Sequence, residues 1–253
     1  MIYDKDSISI IIPTFNYPET FKKVIDALFT QSLLPNEIIV IDSSNNNQIS
    51  NIVNVVSKEN KNKIKIIYHK SSKRLYPGEA RNKGFEISTC NYIGFLDSKT
   101  IPNISWLKDN FNLLKNNKLD VVFGKTLYVS KINNKQRIIK DLVYGNKPQV
   151  TTPGSILHKK NFIKNKFIEG VRTVDDMFWR RYFISNNYSY SNVKEYNLIY
   201  DAVPTSLFAM QKRYFIYSLN LININIQEKT KDIYFALLCI LLFLLMPRWN
   251  YLY

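Results

Sequence analysis

The sequence predicts an α/β fold on a mostly parallel central sheet, with helices appended at its C-terminal end. Two observations carry this. Apolar runs of strand length (Ile8–Ile12, Glu37–Asp42, Tyr92–Asp97) recur along the first hundred residues, and continuous apolar runs suit strands buried on both faces. Amphipathic segments at helical spacing separate them, and such alternation is the pattern of a sheet covered by helices. Ligands of these sheets sit outside the carboxyl ends of the strands. Pro13-Thr14-Phe15-Asn16, Asp42 and Asp97 stand at such ends, and acidic strand ends point to a nucleotide or metal site.

Each element has its own signal. Pro18-Glu19-Thr20 opens a helix to Gln31, with Val24, Ile25, Leu28 and Phe29 recurring on one face; proline in the first turn and an early glutamate suit a helix start. The strand ending at Asp42 runs into a polar loop, Ser43–Asn47. A weaker helix follows near 48–58, then the strand Ile64–Tyr68. Tyr76-Pro77-Gly78 turns into a helix to Ile87. After the Asp97 strand come a helix near 105–116 and a strand from Asp120 to Val129. The pattern loosens between 130 and 170, and a helix through Asp175–Tyr182 follows. Residues 1–204 read as the α/β domain and 205–253 as an aromatic and aliphatic appendage.

Composition narrows the function. At 253 residues and 45% hydrophobic, the chain can bury a full core. The net charge of +15 is spread over dispersed lysines among asparagines and isoleucines, with no arginine-rich stripe and no nucleic-acid motif. It suits anionic lipid or a phosphate-bearing ligand, and no nucleic-acid partner is expected. Cys90 and Cys239 lie far apart without metal or redox spacing, which fits a reducing, cytosolic setting. Met1–Asp6 is polar and the next apolar run is only strand-length, so no signal peptide is expected.

The motifs, in order and spacing, resemble family 2 glycosyltransferases over roughly residues 7–185. They are Ile10–Asn16, Gln31-Ser32 before Pro35–Asp42, Gly78–Gly84 and Phe95–Lys99. The resemblance implies a GT-A fold that moves sugar from a nucleotide donor with inversion at the anomeric carbon. It implies that Pro13, Thr14, Phe15, Asn16 and Asp42 hold the base and ribose, usually of UDP, and that Arg81 lines the donor site. It places the base at Asp176, with Asp175 supporting it, and an acceptor wall near Gly154 and Ser155. A carboxylate is needed to take the acceptor hydroxyl's proton as that oxygen attacks. Trp179 and Arg180 fall three and four residues past Asp176, on the same helical face; they read as a sugar platform and a phosphate contact. Asp97-Ser98-Lys99 departs from the family, where a second aspartate usually stands at Lys99. The expectation is that Asp97 still anchors Mg²⁺ or Mn²⁺, with donor phosphates completing the shell. Alternatively, the Lys99 ammonium contacts the phosphates itself.

The apolar run Ile233–Met246 has 14 residues, about 21 Å as a helix against a ~30 Å hydrocarbon core. Lys212, Arg213, Lys229, Lys231 and Arg248 can face headgroups while Trp249, Tyr251 and Tyr253 sit at the interface. The appendage is therefore expected on, or shallowly in, the cytosolic face of the membrane, with a glycan or lipid-linked acceptor. A nucleotidyltransferase would need a Gly-rich phosphate loop after the first strand, and Pro13–Pro18 contains no glycine. A scaffold that lost turnover is the other alternative; the retained Asp42, Asp97 and Asp176 argue against it.

Overall fold

The computed structural model describes residues 5–60, 64–130, 134–204 and 206–228. In chain order the first half comprises β1 (Ile8–Thr14), α1 (Pro18–Phe29), β2 (Glu37–Asp42), α2 (Gln48–Glu59), β3 (Lys65–Lys70), α3 (Pro77–Ile87), β4 (Tyr92–Phe95) and β5 (Thr100–Pro102). The rest comprises α4 (Trp106–Asn116), β6 (Val121–Tyr128), α5 (Asn134–Tyr144), β7 (Gln149–His158), α6 (Lys159–Ile163), α7 (Asp175–Ser185), β8 (Tyr190–Asn192), β9 (Leu198–Tyr200) and α8 (Leu207–Glu228).

The strands form one mixed α/β sheet in the order β3-β2-β1-β4-β7-β6-β9-β5, with β8 also on β6. β3, β2, β1 and β4 are parallel, and their registers align Thr14 with Asp42 and Ile11 with Phe95. The carboxyl ends of these strands therefore open on one edge. β7 then runs antiparallel between β4 and β6.

Two cores flank the sheet, as the alternation of side chains along a strand requires. Ile10 and Ile12 of β1 face a core built with Phe21, Val24 and Leu28 of α1, Val53 of α2 and Trp106 of α4. Ile11 faces the other, with Phe95, Phe123, Phe162, Phe167, Trp179 and Phe183. α3 lies so close to β1 that a Cβ on Gly84 would come 2.3 Å from Ile11 Cγ2. Glycine there is a packing requirement.

The loose stretch between 130 and 170 contains β7, which joins the two halves of the sheet. Its Thr151-Thr152-Pro153-Gly154 centre hides the strand signal. At that point the β6–β7 register shifts between Val122 and Gly124, and Gly154 takes φ +87°, a region that glycine enters without the Cβ penalty. α8 packs Leu221 and Ile224 against Val171 and Val174. Among the described residues no helix is long and apolar enough to cross a membrane. The run Ile233–Met246 lies outside the described residues.

Candidate active site

A cavity of about 380 Å³ opens at the carboxyl ends of β1 and β4. Of the residues read from sequence, it brings together Pro13, Thr14, Phe15, Asp97, Lys99 and Asp176. Thr14 Oγ1 is buried without a protein partner, which is the state of a group that awaits a ligand hydrogen bond. Arg74 lies over the Phe15 ring at 4.2 Å, making one end of the cavity cationic and aromatic.

Asp42 is not on the wall. It is fully buried behind it, accepting from Ser44 N (2.8 Å), Tyr68 Oη (2.7 Å) and Lys70 Nζ (3.0 Å). Burial pushes its carboxyl up, but these bonds outweigh burial and hold it below the usual aspartate value. It braces the Ser43-Ser44 turn, and Ser43 lines the cavity. Asn16, at φ 55°, likewise works as a clasp: its N donates to Ser44 Oγ at 2.8 Å. Asparagine is among the residues that tolerate this conformation.

Arg81 is also behind the wall. Its guanidinium is buried and forked, with Nη1 donating to Asp175 Oδ2 (2.7 Å) and Nη2 to Asp97 Oδ1 (2.6 Å). It sets the Asp97 carboxylate in place, leaving Oδ2 with no hydrogen-bond partner among the described residues. Asp175 is buried; burial first, then Asp176 and Asp97, push its carboxyl up to about 7 against the pull of Arg81. Lys99 points into the cavity, 3.2 Å from the Tyr17 ring centroid. Its hydrogen bond and charge lower the Tyr17 hydroxyl.

Asp176 lies one residue past Asp175 and faces the cavity. Its Oδ1 accepts from Met177 N at 2.8 Å and its carbonyl from Thr152 Oγ1 at 3.1 Å. The preceding Val174 holds φ 71° while almost fully buried. A β-branched residue in this region is strained by on the order of 1–3 kcal/mol, and the packing of α8 on Val174 helps sustain it.

Three expectations are corrected. Trp179 is no sugar platform: it stacks on Phe167 at 4.8 Å, and its Nε1 donates to Asn165 O in the core. Asp175, Trp179 and Phe183 form the buried stripe of α7 at a spacing of four, so the inward face starts from Asp175. Arg180 donates to Val150 O, away from the cavity. Gly154 and Ser155 are buried within the sheet, where Gly154 O accepts from Trp106 Nε1 and Asn110 Nδ2.

Sequence reading missed Tyr17, Arg74, Tyr76, Arg172, Arg213, Tyr128 and Tyr200, all on the cavity wall. One signal was available. The chain has only eight arginines among its 35 basic residues, and Arg74, Arg172 and Arg213 line the cavity with Arg81 just behind it. Where lysine is the default, retained arginine marks a geometric demand.

Among the described residues no group of three or more acidic, histidine or cysteine side chains converges to hold a metal. Asp97 and Asp176 share the cavity, and one oxygen of Asp97 is uncommitted. That donor set suits a hard cation that takes most of its ligands from substrate phosphates and water.

A mixed sheet in this order, with a cavity at the carboxyl edge of its parallel strands, is a fold of GT-A type. The family profile "Glycosyl transferase family 2" matches residues 9–188, and the chain belongs to that family of glycosyltransferases. It is 28% identical over 250 residues to an uncharacterized glycosyltransferase of Methanocaldococcus jannaschii, covering 92% of this chain and 84% of that protein. It is 27% identical over 202 residues to the poly(ribitol-phosphate) beta-N-acetylglucosaminyltransferase TarP of Staphylococcus aureus, covering 75% of this chain and 61% of TarP. Among solved structures, S. aureus TarS 1–349 in complex with UDP-GlcNAc superposes with a TM-score of 0.61 at 18% identity, covering 87% of this chain and 66% of that one. The Pyrobaculum calidifontis mannosyltransferase PcManGT, in complex with GDP-Man and Mn²⁺, gives 0.63 at 14% identity, covering 85% and 61%. These likenesses establish the fold.

Proposed function

We propose that this glycosyltransferase moves a sugar from a nucleotide donor, a UDP-sugar, to a hydroxyl of a glycan or lipid-linked acceptor, with inversion. The observation that carries this reading is the convergence of Thr14, Phe15, Asp97, Lys99 and Asp176 on one cavity at the carboxyl edge. The base packs beside the Phe15–Arg74 pair, with the unpartnered Thr14 Oγ1 as a polar contact. The diphosphate lies toward Lys99 and Asp97. Asp176 removes the acceptor hydroxyl's proton as that oxygen bonds to the anomeric carbon and the bond to the diphosphate breaks. Lys99 offsets charge that develops on the leaving diphosphate. A divalent cation held by Asp97 and the donor phosphates supplies further neutralisation when bound. Arg81 and Asp175 position Asp97 and the start of α7.

Residues 1–204 form the transferase domain in this proposal. Residues 205–253 form a peripheral element at the cytosolic membrane face. Asp176→Asn tests the base: transfer falls at least about a thousandfold while UDP affinity by calorimetry stays within threefold. That size lies within the roughly 10²–10⁴-fold contribution of a positioned general base, and asparagine cannot accept the proton. Transfer retained in this variant refutes the assignment.

A further inference from the structure

Four cations and two acids line the cavity; their net charge of +2 balances a donor diphosphate, so a divalent cation bound with the donor leaves positive charge in excess. The lining cations are Arg74, Lys99, Arg172 and Arg213, and the lining acids are Asp97 and Asp176. Arg74 belongs to the Phe15 end, over whose ring it lies, and Lys99 stands beside Asp97 over Tyr17. Arg172 and Arg213 remain. One precedes α7 and the other sits on α8, and neither has a carboxylate partner among the described residues.

Arg213 borders an aromatic wall, and Arg172 lines the same cavity. Tyr128 and Tyr144 stack at 4.0 Å with an interplanar angle of 5°. Tyr200 tilts against both, at 5.3 and 6.4 Å. The Arg213 guanidinium lies over Tyr144 at 5.4 Å. Tyr128 and Tyr200 reach the cavity together with Thr126, Thr151 and Asp176, so this wall stands on the side of the proposed base. A stacked pair of tyrosines, Tyr144 buried and Tyr128 half-buried, offers a rigid apolar face for a sugar or polyol chain. A guanidinium fork beside it matches a planar or tetrahedral oxyanion. A neutral hydroxyl offers such a fork a single uncharged acceptor, whereas an oxyanion offers paired charged oxygens.

We infer that the acceptor is an anionic glycan, in which a phosphodiester or carboxylate next to the accepting hydroxyl is gripped by Arg172 and Arg213 while Tyr128 and Tyr200 take the apolar face of its backbone. This rests on the proposed function, since it names the substrate of the same cavity. It also assigns α8 a role in recognition, through Arg213.

The test is calorimetric binding to the full chain saturated with UDP. The probes are a glycerol-phosphate hexamer, a glucuronate-containing tetrasaccharide and neutral maltotetraose, each at two salt concentrations. One charged probe or both should bind at least about tenfold tighter than the neutral one, as expected for charge-assisted bonds to arginine. Preference between the charged probes separates phosphodiester from carboxylate. Arg172→Gln with Arg213→Gln should erase the advantage and leave UDP affinity within twofold. Lys108→Gln with Lys118→Gln removes the same charge from exposed positions off the cavity and should change nothing.

Equal binding of neutral and charged probes overturns the inference. So does an equal loss in both double variants, which would reduce the effect to overall charge. Loss of UDP affinity in the arginine variant also overturns it, because the pair would then serve the donor. If UDP fails to bind the native chain, the donor reading fails instead, and the probe comparison on the free protein still decides the anion site.

Discussion

Replacing Arg81 with methionine removes a cation that Asp97 and Asp175 share. The side chains of Arg81 and Asp175 are 3% and 4% exposed, and that of Asp97 is 35% exposed. Methionine fills much of the same volume, so the loss is chiefly electrostatic. Breaking a buried ion pair on one side costs about 3–5 kcal/mol, because the remaining charge stays buried. Asp175 has an escape, since burial already raises its carboxyl to about 7 and it can protonate. The expected loss at pH 7 is therefore near the low end, about 3 kcal/mol.

The pH dependence gives the sharper readout. A carboxyl whose folded value is raised binds a proton in the native state that the unfolded chain, near 3.8, has lost. Its stabilising contribution is full below 3.8 and falls as pH rises, at up to about 1.4 kcal/mol per pH unit. In the native protein this fall ends near pH 7; without Arg81 the carboxyl goes higher and the fall continues above 7. Urea unfolding followed by circular dichroism, from pH 5 to 8.5, measures both. Adding Asp175→Asn to Arg81→Met should recover at least half of the loss. A variant within 1 kcal/mol of native, with no added slope above pH 7, would refute the shared-cation account.

Glu37 gives the opposite sign. Burial pushes it up, but bonds from Thr89 Oγ1 and N, Ser9 Oγ and Lys65 bring it down to about 2. Its stabilisation is present above 4.5 and lost as pH falls toward 2, so Glu37→Gln should lose up to about 3 kcal/mol at pH 7 and converge with native near pH 2; a constant difference across pH counts against it. Gly84→Ala drives a methyl onto Ile11 and should cost about 1–2 kcal/mol in unfolding free energy despite alanine's better helix propensity; a gain in stability would show that α3 can withdraw freely. Lys99→Asp restores a second acid beside Asp97, so UDP binding should become at least about tenfold more dependent on Mn²⁺, read by titration with and without EDTA; unchanged metal dependence argues that Lys99 lies off the phosphate path. Val174→Gly trades relief of the φ strain against lost packing, so stability should stay within about 1 kcal/mol while kcat falls with KM unchanged. A kcat equal to native would show that the strain does not position Asp176.

What the sequence made legible follows from periodicity and position. β1, β2 and β4 are unbroken apolar runs, and the residues that follow them sit at or just behind the cavity because a parallel register brings strand ends together. β7 was illegible because its signal is cancelled by the residues that let it bend: Pro153, Gly154 and two threonines. Trp179 was misplaced for a different reason. Counting from Asp176 put it on the site face, but the inward stripe of α7 is chosen by its largest apolar side chains. Trp179 and Phe183 carry Asp175 inward with them, and Asp176 is left to the cavity. Of the missed wall residues, Tyr200 comes from the three-residue β9 and Tyr17, Arg74, Tyr76 and Arg172 from loops, where no period is long enough to read, while Tyr128 ends β6 and Arg213 sits on α8. Tyr128, Tyr200, Arg172 and Arg213 meet only through the fold.

Arginine usage ties these threads together. Lysine is the ordinary cation of this chain, and it serves at Asp42 and Glu37. Arg81 must reach two carboxylates at once with two nitrogens, which an ammonium on a flexible stem does not fix in direction. Arg74 and Arg213 lie over aromatic rings, where a planar guanidinium stacks and still presents its edge. The same reasoning gives Lys99 its meaning. At the place where the family usually keeps a carboxylate, this chain puts a point charge over Tyr17, suited to a diphosphate oxygen and needing no fork. The cavity is thus graded in kind of cation: guanidinium at the base end, ammonium at the proposed leaving group, and guanidinium again on the acceptor wall. An anionic acceptor gives the last of these a charged partner, where a neutral one offers only hydroxyls.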